Sequence, residues 1–252
     1  IWDQRGLNDF HSFFGQFLTH DLVRSPIFEG GTTLIDTFDG LFFPIKVPKG
    51  DPEFDPKSRG DQWIFFRRNS IAEEGPISDF DILNQVTAVL DGDLIYGSQG
   101  NTHFLREFKG GKLKVGAGNI LPDMTPETAI PMANDLNKEY STLFAAGDVR
   151  ANEAPGLIAL HSLFVREHNR ITDLYLAANP KLEDEYVFNL ARRMVAAEIQ
   201  AITFREYLPA LLGKPVAPYS GFKSDKVCQI SFEFTSAAFR FGHSQVNNLV
   251  LR

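Results

Sequence analysis

The sequence predicts a mainly α-helical fold with long irregular loops and little β-structure. Apolar residues recur at helical spacing in three stretches, residues 7–20, 157–175 and 187–202. The alternation of apolar and polar residues that is typical of strands is scarce. Residues 24–79 are rich in glycine, proline and aspartate, which indicates loop. Neither an internal repeat nor a linker divides the 252 residues, so we expect a single domain.

The first predicted helix, residues 7–20, carries two polar residues on one face. Gln16 and His20 are four residues apart, and positions at this spacing lie one above the other on a helix. The long loop that follows contains short extended pieces at residues 42–48 and 63–66. A loop of this length inside a compact domain is more often functional than idle.

The remaining elements follow from turn and helix signals. Residues 99–109 predict a short helix that ends at two glycines, and residues 112–144 are irregular. The helix marked by residues 157–175 ends at Asn179-Pro180, and the next one ends at Leu208-Pro209. A last helix is predicted from Ser231 towards His243.

Composition and charge exclude several classes of protein. The net charge is −7 without a long basic run, so nucleic acid is not an expected partner. No apolar run approaches the ~18 residues that a membrane span needs. The single cysteine, Cys228, excludes a disulfide within the chain and a cysteine-based zinc site. The chain begins at Ile1 and ends at Arg252 without a cap, and we expect both ends to be cut from a longer protein.

Two histidines and an arginine stand beside small or aromatic residues in widely separated stretches. His20 lies in FGQFLTHD, Arg150 in GDVRANE and His243 in AFRFGH. Such a set suits a buried haem, in which one histidine binds the iron while the other histidine and the arginine act on a peroxide. Taken singly, His20 also fits a core histidine and Arg150 a surface arginine.

Oxygen-bearing residues next to the first histidine indicate a second site. Thr87, Asp91 and Asp93 stand at alternate positions and would face one side of an extended loop. With Asp21 and the backbone carbonyl of Val89 they form the hard oxygen set that calcium prefers, with about 6–8 ligands at ~2.3–2.6 Å. From the spacing alone, a solvated acidic turn is the favoured alternative.

A further pair of histidines, His161 and His168, lies seven residues apart on one helix face. A metal pair is conceivable at this spacing. Because no third ligand is evident, we favour a structural role for both.

The order of the motifs resembles the animal-type haem peroxidase family, also called the peroxidase–cyclooxygenase superfamily. The resemblance covers nearly the whole chain. It rests on FGQFLTHD (residues 14–21), the stretch from FPI to Asp51-Pro52 (43–52), FFR (65–67), TAVLDGDLIYG (87–97), GDVRANE (147–153), LHSLFVREHNR (160–170), TFREYLP (203–209) and FRFGH (239–243).

The resemblance implies a role for each matching residue at a haem b. His20 matches the distal histidine, and Gln16 the distal glutamine near the halide and water site. Arg150 matches the distal arginine. His243 matches the proximal iron ligand, and Arg240 an arginine that pairs with a haem propionate.

It also implies a calcium site. The matching ligands are Asp21, Thr87, the carbonyl of Val89, Asp91 and Asp93. Most family members carry serine where this chain has Asp93.

The chain departs from the mammalian enzymes near the haem. Thr19 stands where they have an aspartate that forms an ester with the haem, and Ala154 replaces a methionine that bonds to a vinyl group. Glu153 matches the other ester-forming carboxylate, so at most one ester link is expected. The family's asparagine that orients the proximal imidazole lies beyond the last residue. We therefore expect residues 1–252 to be the N-terminal part of a single catalytic domain, completed by a C-terminal part or another chain.

The implied activity is reduction of hydrogen peroxide and oxidation of a halide, thiocyanate or phenol through a ferryl intermediate, in a secreted protein. A fatty-acid dioxygenase would resemble the cyclooxygenase branch, which has a tyrosine where this chain has Arg240. A non-catalytic module for adhesion or matrix assembly is the remaining alternative. Retention of His20, Arg150 and His243 favours chemistry.

Overall fold

The structure is a computed structural model. It describes residues 6–25, 44–64, 83–97, 102–125, 130–134 and 138–247. The chain divides into two compact units, residues 1–23 with 86–252, and residues 24–85. The single catalytic domain remains a prediction.

Helices dominate the larger unit, which confirms the predicted fold class. The α-helices are α1 (Asp9–Leu22), α2 (Asp93–Tyr96), α3 (Thr102–Leu105), α4 (Pro155–Ala178), α5 (Asp184–Ile202), α6 (Leu208–Leu212) and α7 (Phe232–Ser236). Short 3₁₀ segments cover Ala117–Asn119, Tyr140–Thr142, Ala151–Glu153 and Ala238–Gln245, and a π-helical turn covers Thr203–Tyr207.

The core lies where α1, α4 and α5 meet. Phe17 of α1 is fully buried and stacks on Phe164 of α4, with ring centroids 5.3 Å apart. Its ring also meets His161 edge-on at 5.3 Å. Full burial of such a side chain contributes about 1.5–3 kcal/mol. This contact fixes α1, the helix that carries His20, against α4.

Helix α4 ends where its sequence signal predicts, and its start has a clear local cause. Pro155 occupies the first turn, where a missing N–H leaves no helical hydrogen bond unmade. At the other end the N–H of Asn179 donates to the carbonyl of Tyr175 at 2.9 Å, and Pro180 follows. The predicted end at Asn179-Pro180 is confirmed.

The predicted end of the next helix at Leu208-Pro209 is wrong. The chain passes through the π-helical turn and continues as α6 to Leu212, and Gly213 ends it with a φ of 68°. Proline is tolerated because it lies in the first turn of α6, directly after the π turn, where its missing N–H costs little.

Two further helix predictions need correction. The last helix is interrupted at Ala237, whose φ and ψ are −121° and −69°, so His243 lies on the 3₁₀ segment Ala238–Gln245. This stretch is rich in phenylalanine and contains Gly242, all of them weak helix formers. The helix predicted at residues 99–109 is limited to α3 in the described part, and residues 98–101 lie outside it.

The smaller unit contains one two-stranded antiparallel sheet. Strand β1 (Ile45–Lys46) pairs with β2 (Trp63–Ile64), so the predicted extended pieces are confirmed where the structure describes them. Between the strands, the Asp55 carboxylate accepts backbone hydrogen bonds from Gly50, Arg59 and Gly60 at 2.9–3.0 Å. Most of the predicted loop, including residues 26–43 and 65–82, lies outside the described residues.

Within the described residues, every helix is too short or too polar to cross a membrane.

His168 is a structural residue, as its sequence context predicts. Its Nε2 lies 2.8 Å from the carbonyl of Gly111, which can only accept, so Nε2 carries the proton. Nδ1 then accepts from the hydroxyl of Tyr96 at 2.9 Å. Burial lowers the pKa of His168 from 6.5 to about 4, so the ring stays neutral in the folded protein near neutral pH.

We expect His168 to make the protein less stable in mild acid. The unfolded chain takes up a proton below pH 6.5 while the folded ring does not until about pH 4, so stability is lost as pH falls through this window. Because one pKa unit corresponds to about 1.4 kcal/mol, the loss from this residue is at most roughly 3 kcal/mol.

The His168→Gln variant tests this by thermal unfolding between pH 7 and pH 5. Its melting temperature should be lower at neutral pH but fall less steeply with acid than that of the wild type. The exposed His103 provides the control, and His103→Gln should keep the wild-type slope. An unchanged slope in His168→Gln would contradict the assignment.

Candidate active site

A cavity of about 690 Å³ lies between α1, the start of α4 and the 3₁₀ segment Ala238–Gln245. This volume is within the ~300–1,000 Å³ of ordinary ligand sites. The structure brings all the residues predicted to surround a haem to its wall: Gln16, His20, Arg150, Glu153, Arg240 and His243.

His20 is buried, with 4% of its surface exposed, and reaches the cavity from α1. Its Nε2 lies 3.9 Å from a carboxylate oxygen of Glu153, and its Nδ1 lies 3.8 Å from Oδ1 of Asp148. Neither distance is a hydrogen bond. Burial and the nearby Arg150 cation lower the pKa of His20 to about 3, so the ring is neutral near neutral pH.

Arg150 is held rigidly by the loop before α4. Its Nε and Nη2 donate to the two carboxylate oxygens of Asp148 at 2.9 and 2.7 Å. Nη1 donates to the carbonyl of Val23 at 2.9 Å, and Nη2 to the carbonyl of His20 at 3.1 Å. A guanidinium carries five N–H donors, so one remains beyond these four bonds.

Asp148 is the buried anion that orients this guanidinium. Burial alone would raise the pKa of its carboxyl, but hydrogen bonds and charge from Arg150 prevail and lower it to about 2. Gly147 lets the loop pack this closely, because a Cβ there would lie 2.4 Å from the carbonyl oxygen of Leu94. Backbone atoms cannot yield by that much, so this position requires glycine.

A second wall of the cavity is formed by the 3₁₀ segment, on which His243 and Arg240 are exposed. Hydrogen bonds tie this segment and the residues directly after it to α1: the Ser12 hydroxyl donates to the carbonyl of Gln245 at 2.9 Å, and the Asn247 side chain donates to Asp9.

Open space beside this wall fits a large planar group. A Cβ at Gly242 would meet no atom within 4 Å, so a flat ligand can approach the backbone there. Histidine is an ordinary axial ligand of haem iron, and arginine suits a carboxylate. The residues present therefore fit a haem.

The predicted calcium ligands lie together, but in a different local conformation. Asp91 donates its N–H to the carbonyl of Val89 at 3.0 Å, and Gly92 has a φ of 75°. The prediction of an extended loop is therefore wrong, because this turn brings the oxygens together. Asp21 is fully buried and accepts N–H bonds from Gly92 and Leu94 at 3.3 and 3.2 Å.

The same cluster is not arranged as a finished metal centre. The Thr87 hydroxyl donates to Asp91 at 3.0 Å. In the described ranges, no three histidine, cysteine or carboxylate side chains are grouped to hold a metal ion. Calcium therefore remains a prediction, supported by oxygen donors on Thr87, Asp91, Asp93 and Asp21.

Asp148 and Tyr207 near the site had no predicted role, and His161 was expected to be only structural. Asp148 stands two residues before Arg150, a spacing that could have indicated the ion pair. Tyr207 ends the π turn, lines the cavity and stacks on His11 at 4.7 Å. No pattern in the sequence indicates that the π turn brings Tyr207 to the wall of the cavity. His161 is fully buried, and neither ring nitrogen has a hydrogen-bond partner among the described residues.

The fold and the cavity residues are those of a helical domain with room for a haem, and sequence comparison identifies its family. The model of the animal haem peroxidase family matches residues 2–252, so the chain belongs to that family. Peroxinectin A of Dictyostelium discoideum is 34% identical, over 98% of this chain and 46% of that protein. Lactoperoxidase of Mesocricetus auratus is also 34% identical, over 95% of this chain and 36% of that protein. The chain thus spans half or less of the length of these relatives.

Solved structures agree with this assignment. Peroxidase A from Dictyostelium discoideum superposes with a TM-score of 0.83 at 33% identity, over 96% of this chain and 48% of that chain. A fatty acid alpha-dioxygenase from Oryza sativa superposes with a TM-score of 0.59 at 21% identity, over 84% and 30%. At that identity the second likeness shows the fold alone.

Removing Arg150 should cost more stability than removing both members of its ion pair. In Arg150→Ala the buried Asp148 carboxylate loses its partner, which costs roughly 3–5 kcal/mol. The double variant Arg150→Ala/Asp148→Ala leaves no buried charge unpaired and should recover part of this loss. Urea unfolding of the wild type, both single variants and the double variant measures the coupling. A double variant less stable than Arg150→Ala would contradict this account.

Proposed function

We propose that the protein is a haem-dependent peroxidase that reduces hydrogen peroxide and oxidises a small donor. The observation that carries the proposal is that His20, Arg150 and His243, distant in sequence, line one cavity. Membership of the animal haem peroxidase family supports it. Because the chain spans about half of its relatives, the activity of the whole protein is part of the proposal.

Three residues would hold the haem. His243 would bind the iron, Arg240 would pair with a propionate, and Glu153 would form the one possible ester link. When bound, the haem supplies the iron that accepts oxidising equivalents from peroxide. All three side chains line the cavity and are exposed, so they are accessible to the group.

His20 is the proposed acid–base residue. It is neutral when folded, and a neutral imidazole can take the proton from the near oxygen of peroxide and return it to the departing oxygen. Gln16, one turn earlier on the same helix face, lines the cavity where it can orient a water or a halide.

Arg150 would stabilise negative charge as the O–O bond breaks. Its guanidinium is fixed by Asp148 and two carbonyls, so it needs no rearrangement during the reaction. A preorganised donor of this kind contributes ~3–4 kcal/mol in comparable sites. We propose a halide, thiocyanate or phenol as the reducing substrate and, from the resemblance alone, secretion.

Replacing His20 should slow the reaction with peroxide while leaving the haem bound. Since general acid–base catalysis contributes about 10²–10⁴-fold, His20→Gln should lower the bimolecular rate by that order. Stopped-flow absorbance of the haem-loaded full-length protein measures this rate. The exposed His103→Gln is the matched control and should react as the wild type does.

The same measurement separates an enzyme from a scaffold. A folded protein that binds no haem, or whose Soret band does not change when peroxide is added, would overturn the proposed activity and favour an adhesion or matrix role. Wild-type rates in His20→Gln would remove His20 from the mechanism but leave the haem assignment standing.

We also propose that calcium binds Asp21, Thr87, the Val89 carbonyl, Asp91 and Asp93. Asp21 follows His20 directly, and its carboxylate is fixed at the start of α2, so a cation there would fix the end of α1. The donors are all oxygens, which is the chemistry that calcium requires.

Loss of this cation should impair peroxide reactivity before it unfolds the protein. Asp91→Ala should lower the calcium content and the rate with peroxide, and added calcium should restore part of the rate. Metal analysis and stopped-flow kinetics test both effects, with the exposed Asp225→Ala as control. Full reactivity in a calcium-free Asp91→Ala protein would disprove the positional role.

A further inference from the structure

The side of His20 that faces away from the cavity contains polar atoms without partners. Nδ1 of His20 is buried and has no hydrogen-bond partner among the described residues, and the same holds for both ring nitrogens of His161. Buried polar groups are nearly always satisfied by protein or by ordered water. Three unpaired nitrogens in one region of the core therefore need an explanation.

These nitrogens belong to one neighbourhood. Phe17 and His20 are three residues apart on the same face of α1. The ring of His161 from α4 meets Phe17 edge-on at 5.3 Å, which places it beside the same face. Asp148 completes the group, with Oδ1 3.8 Å from Nδ1 of His20. Burial lowers the pKa of His161, and the charges of Asp148 and Arg150 also act on that pKa, which agrees with this closeness.

The chemistry of His20 requires a particular tautomer. Nε2 must carry a lone pair to accept a proton from peroxide, so Nδ1 must carry the hydrogen. That N–H needs an acceptor, but the Asp148 oxygen is too distant for a direct hydrogen bond. A water can accept from Nδ1 and donate to Asp148, since polar groups more than 3.5 Å apart are often bridged in this way.

A buried water needs two to four polar partners. Nδ1 of His20 and Oδ1 of Asp148 provide two, and a ring nitrogen of His161 provides a third. We propose that His161 and Asp148 hold a buried water against Nδ1 of His20, and that this network fixes the tautomer and ring orientation of His20. His161 is thus a positioning residue that never touches the substrate.

The observations that support the water site come from the described core alone. Its kinetic consequence rests on the proposed peroxidase function. His168 provides a comparison on the same helix, because both of its nitrogens have protein partners. It needs no water, and it lies away from His20.

A high-resolution crystal structure of the haem-loaded full-length protein tests the site directly. We expect a water within hydrogen-bonding distance of Nδ1 of His20, Oδ1 of Asp148 and one nitrogen of His161. In His161→Leu the water should be absent and the ring of His20 displaced. A wild-type structure without this water, or with His161 bonded directly to His20, overturns the inference.

Kinetics test the consequence. Loss of the hydrogen-bond partner of a metal-ligating histidine typically costs 10–100-fold in affinity or activity, and by analogy His161→Leu should slow the reaction with peroxide by about that factor. His161→Gln keeps a donor and an acceptor and should restore most of the rate, which a purely steric role would not explain. His168→Gln, the matched control, should lower the melting temperature but not the rate.

The outcomes also separate this inference from the proposed function. Wild-type rates in a folded His161→Leu protein would overturn the positioning role while peroxidase activity stands. A bridging water in a protein that ignores peroxide would support the water site and overturn the proposed function.

Discussion

The active-site geometry depends on the ion pair between Asp148 and Arg150. The carbonyls at the end of a helix have no partners within the helix and carry partial negative charge. Arg150 donates to two of them, those of His20 and Val23, while Asp148 accepts two of its other N–H groups. One cation therefore caps α1, orients the helix that carries His20 and stands at the cavity wall. Its charge and the burial of His20 together keep that histidine neutral.

The end of α1 is held from a second direction by Asp21. The Asp21 carboxylate accepts the N–H groups of Gly92 and Leu94 at the start of α2. Gly147 allows the loop that carries Asp148 to pack closely against the backbone of Leu94 and Ile95 in α2. The end of α1, the start of α2 and the arginine loop thus form one rigid unit. A shift in any of them would move His20 relative to the cavity.

Local patterns in the sequence were sufficient to predict part of this arrangement. Helical spacing placed Gln16 and His20 on one face, and Asn179-Pro180 marked the end of α4, because both depend on residues close in sequence. The π turn before Leu208, the break at Ala237 and the unpaired nitrogens of His161 could not be read in this way. The π turn and the surroundings of His161 depend on packing between distant segments, which overrides local propensity. The break at Ala237 precedes a stretch of weak helix formers, whose effect the hydrophobic spacing did not show. The convergence of His20 and His243 was suggested by family resemblance and not by spacing.

The two walls of the cavity are built differently. His20 is buried and its surroundings are fixed by Arg150 and Phe17, whereas His243 is exposed on a 3₁₀ segment tied to α1 by two side-chain hydrogen bonds. Proton transfer to and from peroxide needs an imidazole and a guanidinium in fixed relation, because a misplaced base loses most of its effect. Among the described residues, the proposed acid–base side of the cavity is therefore the one whose geometry is fixed in advance, by the Asp148–Arg150 ion pair and the burial of His20.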